Sequence, residues 1–362
     1  LETKTLKGEL ITLSKKDSRF LSYINGTFSR EHRALPVTSL NVNTESEQVT
    51  FQLVPTKEIA QPLLGLQWLQ ILKVRNFLMI MFPVFLVFAK NWSQGPLLDP
   101  WTGALASLGA LCLMTAVNLR NDYLDHLSGL DRIHPQSGSR AIQNGWVTAS
   151  QVKQWSFGYL LLGVLLGLKA VWLHKEILIL VGIFALLGVL GMTSYKMGLK
   201  YRRWSEWAVF LLLGPLLTLG IQISIGEGFD LEVMGIGFLT GALSVFYLHL
   251  KNFEQLMVND QANFQNTISW LGFENGKRWL VAWWIFSIAT LNLYHLFYSR
   301  TFWQVAFLVV TFSTVPPFVS LLSQLTSPLS SRMKKLVNLG KKMILAVMIL
   351  WAIKAILIVW SF

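Results

Sequence analysis

Apolar runs of about 20 residues recur along this chain, each as long as a helix must be to cross the hydrocarbon layer of a bilayer. They fall at roughly 71–90, 100–121, 152–173, 176–195, 205–225, 231–251, 278–299, 302–324 and 340–361. Backbone N–H and C=O groups find no water inside lipid, so each run is expected to satisfy them internally as a helix. The expected fold class is an all-α integral membrane protein of about nine transmembrane helices. Only His174-Lys175 separates the third run from the fourth, and Ser299-Arg300-Thr301 separates the seventh from the eighth, so both pairs should be helical hairpins. Of 362 residues 53% are hydrophobic and 14% charged, which excludes a soluble domain of this length.

Charge then sets orientation. Arg120, Arg132, Arg140, Lys153, Lys196, Lys200, Arg202, Arg203, Lys251, Lys277, Arg278, Arg332, Lys334, Lys335, Lys341 and Lys342 fall on one side, and only Lys90, Lys169, Lys175 and Arg300 on the other. Basic loops stay cytoplasmic, so the C-terminus is expected outside. The net charge of +12 is explained first by this bias and by anionic membrane lipid, so no nucleic-acid partner is expected. Gly163 and Gly167 form a GxxxG suited to close helix packing. Pro316-Pro317 should kink the eighth span, and Lys354, near the external end of the last, should snorkel to the interface.

One polar stretch closes the second span: Asn121-Asp122-Tyr123-Leu124-Asp125-His126-Leu127-Ser128-Gly129-Leu130-Asp131. Continued helix would put Asp122 and Asp125 on one face, within reach of each other. Two close carboxylates, with no cysteine or paired histidine, suit a hard cation such as Mg²⁺, which is usually held by one or two carboxylates together with substrate phosphates. A diphosphate substrate follows from that pairing. A lone Asp-x-x-Asp is equally a pair of solvated helix-end acids. Between the fourth and fifth spans, Tyr195-Lys196-Met197-Gly198-Leu199-Lys200-Tyr201-Arg202-Arg203 carries cations on the same side, suited to neutralising a leaving diphosphate.

Asn-Asp-Tyr-x-Asp, the Gly-x-Asp at 129–131, Ser139-Arg140 and Gln143-Asn144-Gly145-Trp146-Val147-Thr148 together resemble the first Asp-rich motif and following loop of the UbiA superfamily of intramembrane prenyltransferases. The pattern is most similar to the 1,4-dihydroxy-2-naphthoate polyprenyltransferases of menaquinone synthesis. Ser205-Glu206, Gly214-Pro215 and Gly220 resemble the same branch. The resemblance implies helices around a central cavity open to the cytoplasm, in a bacterial inner membrane. It implies Mg²⁺ held by Asp122, Asp125 and Asp260, with Asn121 orienting. Arg140, Tyr195, Lys200, Arg202 and Asn252 would bind substrate. The implied partners are a polyprenyl diphosphate, an aromatic acceptor and membrane lipid.

The second Asp-rich motif of that family runs Asn-x-x-x-Asp-x-x-x-Asp. Here Asn252 and Asp260 match, but Leu256 replaces the middle carboxylate on the face they would share. Two alternatives therefore stand beside the naphthoate reading: a prenyltransferase for another acceptor, and a non-catalytic descendant that binds isoprenoid or lipid. Residues 1–66 are polar and read as an extension to a membrane domain spanning 67–362. They hold two strand-like pieces, Gly8 to Leu13 and Gln48 to Val54. Because the chain opens on Leu1, the extension is read either as a soluble segment or as a disordered or non-native stretch separable from the rest.

Overall fold

The computed structural model describes residues 9–133, 138–193, 198, 202, 204–261 and 265–360. The chain divides into two compact units, and the division cuts through three of the α-helices. One unit contains the chain up to Arg75, Cys112–Leu162 and a short piece from Val258; the other contains Asn76–Leu111, Gly163–Met257 and the chain from Gln265.

The first unit begins with a three-stranded antiparallel sheet, β1 (Leu10–Ser14), β2 (His32–Leu40) and β3 (Gln48–Pro55), with β3 in the middle. Val49, Phe51 and Val54 of β3 are fully buried; Val49 and Phe51, two residues apart, turn to one face, as the two-residue period of a strand requires. Leu10 pairs with Gln52 on one side and His32 with Pro55 on the other, and a register shift at Pro36/Thr38 lets β2 carry a proline. Helix α1 (Phe20–Asn25) lays Phe20 and Ile24, one turn apart, against Leu13, Val49 and Phe51. Each of these side chains contributes about 1.5–3 kcal/mol when fully buried. Gly26 ends α1 at φ +66, and a Cβ there would meet the Thr148 side chain. The extension thus carries a folded sheet, grouped with Cys112–Leu162 in one compact unit. An all-α description covers the membrane part but not this sheet.

After α2 (Leu64–Ile71) the long helices follow: α3 (Leu78–Trp92), α4 (Pro100–Ser128), the short α5 (Leu130–Ile133), α6 (Ala149–Leu173), α7 (Lys175–Thr193), α8 (Ser205–Leu213), α9 (Pro215–Ser224), α10 (Leu231–Glu254), α11 (Leu256–Gln261), α12 (Thr267–Tyr298), α13 (Thr301–Ser323) and α14 (Arg332–Trp360). Among the described residues eight spans are long and apolar enough to cross a membrane, and Leu178–Gly191 of α7 is a shorter ninth. Asp99 starts α4 by accepting from the Thr102 N–H, and Asp230 starts α10 by accepting from the Glu232 N–H. Lys90 of α3 pairs with Asp230.

In the second unit α10 is the central helix: 72% of its most apolar window is buried, against 17% in α13. Phe246, Leu250 and Phe253 of α10 lie within one apolar cluster with Ile268, Leu280, Phe318 and Leu336. Gly214 lies at the α8–α9 break, where a Cβ would strike the Gly237 carbonyl and Gly241. A Cβ on Gly109 would meet the Gly163 carbonyl at 3.0 Å, so the GxxxG does admit a close neighbour. Helix α13 runs on through Pro316-Pro317. Lys354 does not snorkel: it is 4% exposed, donating to Ser299 Oγ at 2.5 Å.

Candidate functional site

Helix α4 carries its apolar face straight into the polar stretch, so Asn121, Asp122 and Asp125 are helical, as expected. Asp122 and Asp125 are both buried. Gly129, at φ +83, then breaks the helix, and α5 brings Asp131 back towards Asp122. A Cβ on Gly138 would stand 3.2 Å from Asp122 Oδ1 and 3.1 Å from Asp131 Oδ2. Both carboxylates therefore border one small space, which any residue but glycine would fill.

Cations and donors surround the pair. Lys73 forms an ion pair with Asp122 Oδ1, and the Ser139 N–H donates to Asp122 Oδ2 at 3.2 Å. The Gln70 amide donates to the Ser139 carbonyl at 2.9 Å, tying α2 to this loop. Arg140 donates to the Asp131 carbonyl at 2.6 Å. Lys73 and Arg140 both sit in the left-handed region, at φ +52 and +61. That conformation costs a non-glycine residue about 1 kcal/mol or more, and such costs gather at functional sites. Arg120 and Lys153 both lie over the Tyr123 ring, at 5.2 and 5.9 Å.

Of the residues expected from sequence, Asn121, Asp122, Asp125 and Arg140 are gathered here. Asp131 and Lys73 join them unanticipated as site residues: Asp131 enters the sequence pattern only through its Gly-x-Asp, and Lys73 lies at the start of the first apolar run and belongs to no motif. Asp260 lies exposed in α11, in the piece grouped with the first motif's unit. Asn252, near the end of α10, belongs to the other unit. Arg202 is exposed, and Tyr195 and Lys200 lie outside the described residues. The run from 252 to 260, expected as one helix, is interrupted: α10 ends at Glu254 and α11 starts at Leu256. Leu256 itself is 4% exposed and belongs to the apolar cluster of Leu250 and Phe253.

The donors fit a hard cation. They are oxygens, they face a cradle that a Cβ would fill, and Asn121 Oδ1 is buried with no hydrogen-bond partner. Among the described residues no three His, Cys, Asp or Glu side chains converge as a closed metal cage. A pair of carboxylates completed by phosphate oxygens and water is how Mg²⁺ is ordinarily bound.

Residues 80–360 match the model of the UbiA prenyltransferase family. A 1,4-dihydroxy-2-naphthoate octaprenyltransferase of Mycobacterium tuberculosis is 30% identical over 165 residues, 45% of this chain. That match spans 56% of the relative's own length. The Escherichia coli enzyme of the same description is 25% identical over 249 residues, 67% of this chain and 80% of its own. A UbiA homolog from Archaeoglobus fulgidus, solved with DMAPP and Mg²⁺, superposes with a TM-score of 0.57 at 12% identity, covering 82% of this chain and all of the other. A structure described as digeranylgeranylglyceryl phosphate synthase gives 0.55 at 15% identity, covering 81% of this chain and 98% of its own. These last two establish the fold alone. With a family match that takes in every membrane span from α3 onward, this chain belongs to the UbiA prenyltransferase family.

Proposed function

We propose that this chain transfers a polyprenyl group from its diphosphate to an aromatic acceptor, 1,4-dihydroxy-2-naphthoate, from the cytoplasmic face of a bacterial inner membrane. The observation that carries the reading is the shared space of Asp122 and Asp131 at Gly138, flanked by Lys73 and Arg140. The naphthoate relatives and the sequence of the first motif support the choice of acceptor. The basic bias of the loops supports the orientation.

Asp122 and Asp131 would hold Mg²⁺, with Asn121 Oδ1 and Asp125 beside them and Asp260 reaching from α11. Bound there, the ion supplies positive charge against the diphosphate and eases its departure. Lys73 and Arg140 add cations where negative charge grows as the carbon–oxygen bond breaks, and their interaction strengthens towards the transition state. Lys73 now neutralises Asp122, so it must release that carboxylate when substrate arrives and is free to follow the diphosphate. The resemblance further assigns substrate binding to Lys200, Arg202, Tyr195 and Asn252. The allylic cation left behind is attacked by an electron-rich ring carbon of the acceptor, whose carboxyl group departs as carbon dioxide.

A second reading keeps the binding and loses the chemistry, and the apolar setting of Leu256 favours it. Mass spectrometry of products from the purified full chain, supplied with Mg²⁺, a polyprenyl diphosphate and a panel of aromatic acids, separates the two. Prenylated, decarboxylated naphthoate is the expected product. Diphosphate binding without any product from the panel would overturn the enzymatic reading.

A further inference from the structure

We infer that the N-terminal sheet domain is a positioning element for the candidate active site, acting on Asp131 through His126, Gln143 and Arg132; the inference rests on the metal reading above. Asp131 does not hold its orientation by itself. Its carboxylate Oδ2 accepts from the Gln143 amide at 3.2 Å, and the same amide nitrogen lies 3.2 Å from His126 Nδ1. His126 Nε2 in turn lies 2.9 Å from the backbone carbonyl of Ile24, in α1 of the sheet domain.

The hydrogens in this series are fixed by elimination. A carbonyl oxygen only accepts, so the Ile24 contact requires the hydrogen of His126 on Nε2. Nδ1 is then a lone pair facing Gln143. Gln143 meets an acceptor on each side, Nδ1 and the Asp131 carboxylate, so its NH₂ group and not its oxygen must point there. The Ile24 carbonyl is available because it belongs to the last turn of α1, where carbonyls lack helical partners. One backbone atom of the sheet domain thereby sets a tautomer, an amide orientation and the direction of a carboxylate.

A second contact runs in parallel. Glu47, in the turn before β3, pairs with Arg132, and both side chains are at most 3% exposed. Arg132 also donates to the His126 carbonyl at 2.6 Å, and it follows Asp131 directly in sequence. Asp131 is thus held at its carboxylate by Gln143, at its carbonyl by Arg140 and through the next residue by Glu47. The carboxylate also borders Gly138, beside Asp122 Oδ1. Ile24 and Glu47 lie outside residues 80–360, so this support is an addition to the family's own span.

Partners that orient a metal-binding side chain without touching the metal typically change metal affinity or activity by about 10–100-fold when removed. The test uses the full chain in detergent and Mn²⁺ with inorganic pyrophosphate as the probe, the free ion being counted by electron paramagnetic resonance. Gln143→Leu and Glu47→Gln should each weaken Mn²⁺ binding by about tenfold or more, and prenyl transfer at saturating metal should fall by a smaller factor. Glu47→Asp, which keeps the charge, should recover part of the loss. Thr12→Ala, on the far strand of the sheet, should bind as wild type does. Wild-type affinity in both Gln143→Leu and Glu47→Gln would overturn the inference. Wild-type protein binding no better than Asp122→Asn would instead sink the metal reading, and the inference with it. Should Glu47→Gln fail to fold, Gln143→Leu decides, since it breaks no ion pair.

Discussion

The two regions of this chain that resemble Asp-rich motifs are built in opposite ways. Around the first, polar side chains are buried and given partners: Lys73 and the Ser139 N–H on Asp122, Gln143 on Asp131, and a glycine where the carboxylates face each other. Around the second, the central position has passed to the apolar core, and Asp260 stands exposed at the end of a helix restarted after a break. A carboxylate acts on a ligand only when its direction is fixed and its charge is incompletely spent. By that measure the first region is the one proposed here as the site, and from the second only Asp260 is proposed to contribute.

The largest effect expected from this contrast comes from Asp122→Asn, which keeps shape and removes charge. The prenyl-transfer rate should fall by about 10²-fold or more at any Mg²⁺ concentration, the size seen when a group acting on the transition state is lost. A variant that keeps near wild-type rate would erase the distinction. Next comes Leu256→Asp. Restoring the family's residue ought to help if the position faced a site, but here it places a lone charge in an apolar cluster. A loss of about 3–5 kcal/mol is expected, read as a collapse of the thermal unfolding midpoint in detergent. A stable Leu256→Asp protein with tighter Mg²⁺ dependence would show that the second region still works as its relatives' sequences suggest. Asp260→Asn should change the rate by about tenfold or less, since an exposed charge is worth about 1 kcal/mol at most. A loss as large as that of Asp122→Asn would make the two regions equal partners.

The smallest effect lies at the opposite end of α10 and calibrates the rest. Asp230 is driven up by burial, but Lys90 and the Glu232 N–H outweigh that and hold its carboxyl below the usual value of 3.8. Its support for the helix start is therefore present above about pH 4 and is lost as pH falls through the depressed value. Asp230→Ala should cost about 1 kcal/mol at neutral pH. Melting curves of variant and wild type should converge in acid, and a constant gap down to pH 2 would refute the assignment.

The membrane helices were legible because hydrocarbon thickness writes their length directly into the sequence. The α10 break was not, since Asn252, Leu256 and Asp260 fit an unbroken helical period and nothing at Gln255 forbids helix. Asp122 and Asp125 were legible by their spacing. Lys73 was not, because its place beside Asp122 depends on a left-handed backbone and a partner 49 residues away. β2 went unread because its mixed run of His32, Arg33 and Pro36 lacks clean alternation, and tertiary pairing with β3 decides it. The docking of the sheet domain was least legible of all: Ile24 and His126 are 102 residues apart, Glu47 and Arg132 are 85.

Those separations also bear on how the chain is made. Synthesis proceeds at about 5–20 residues per second, so the sheet has all its strands seconds before Arg132 and His126 emerge. During that interval Glu47 has no Arg132, the Ile24 carbonyl has only water, and the sheet must stand on its own small core of Leu13, Phe20, Ile24, Val49 and Phe51. The order of synthesis therefore lays down every strand of the sheet before the polar end of the second long helix, to which Ile24 and Glu47 are joined.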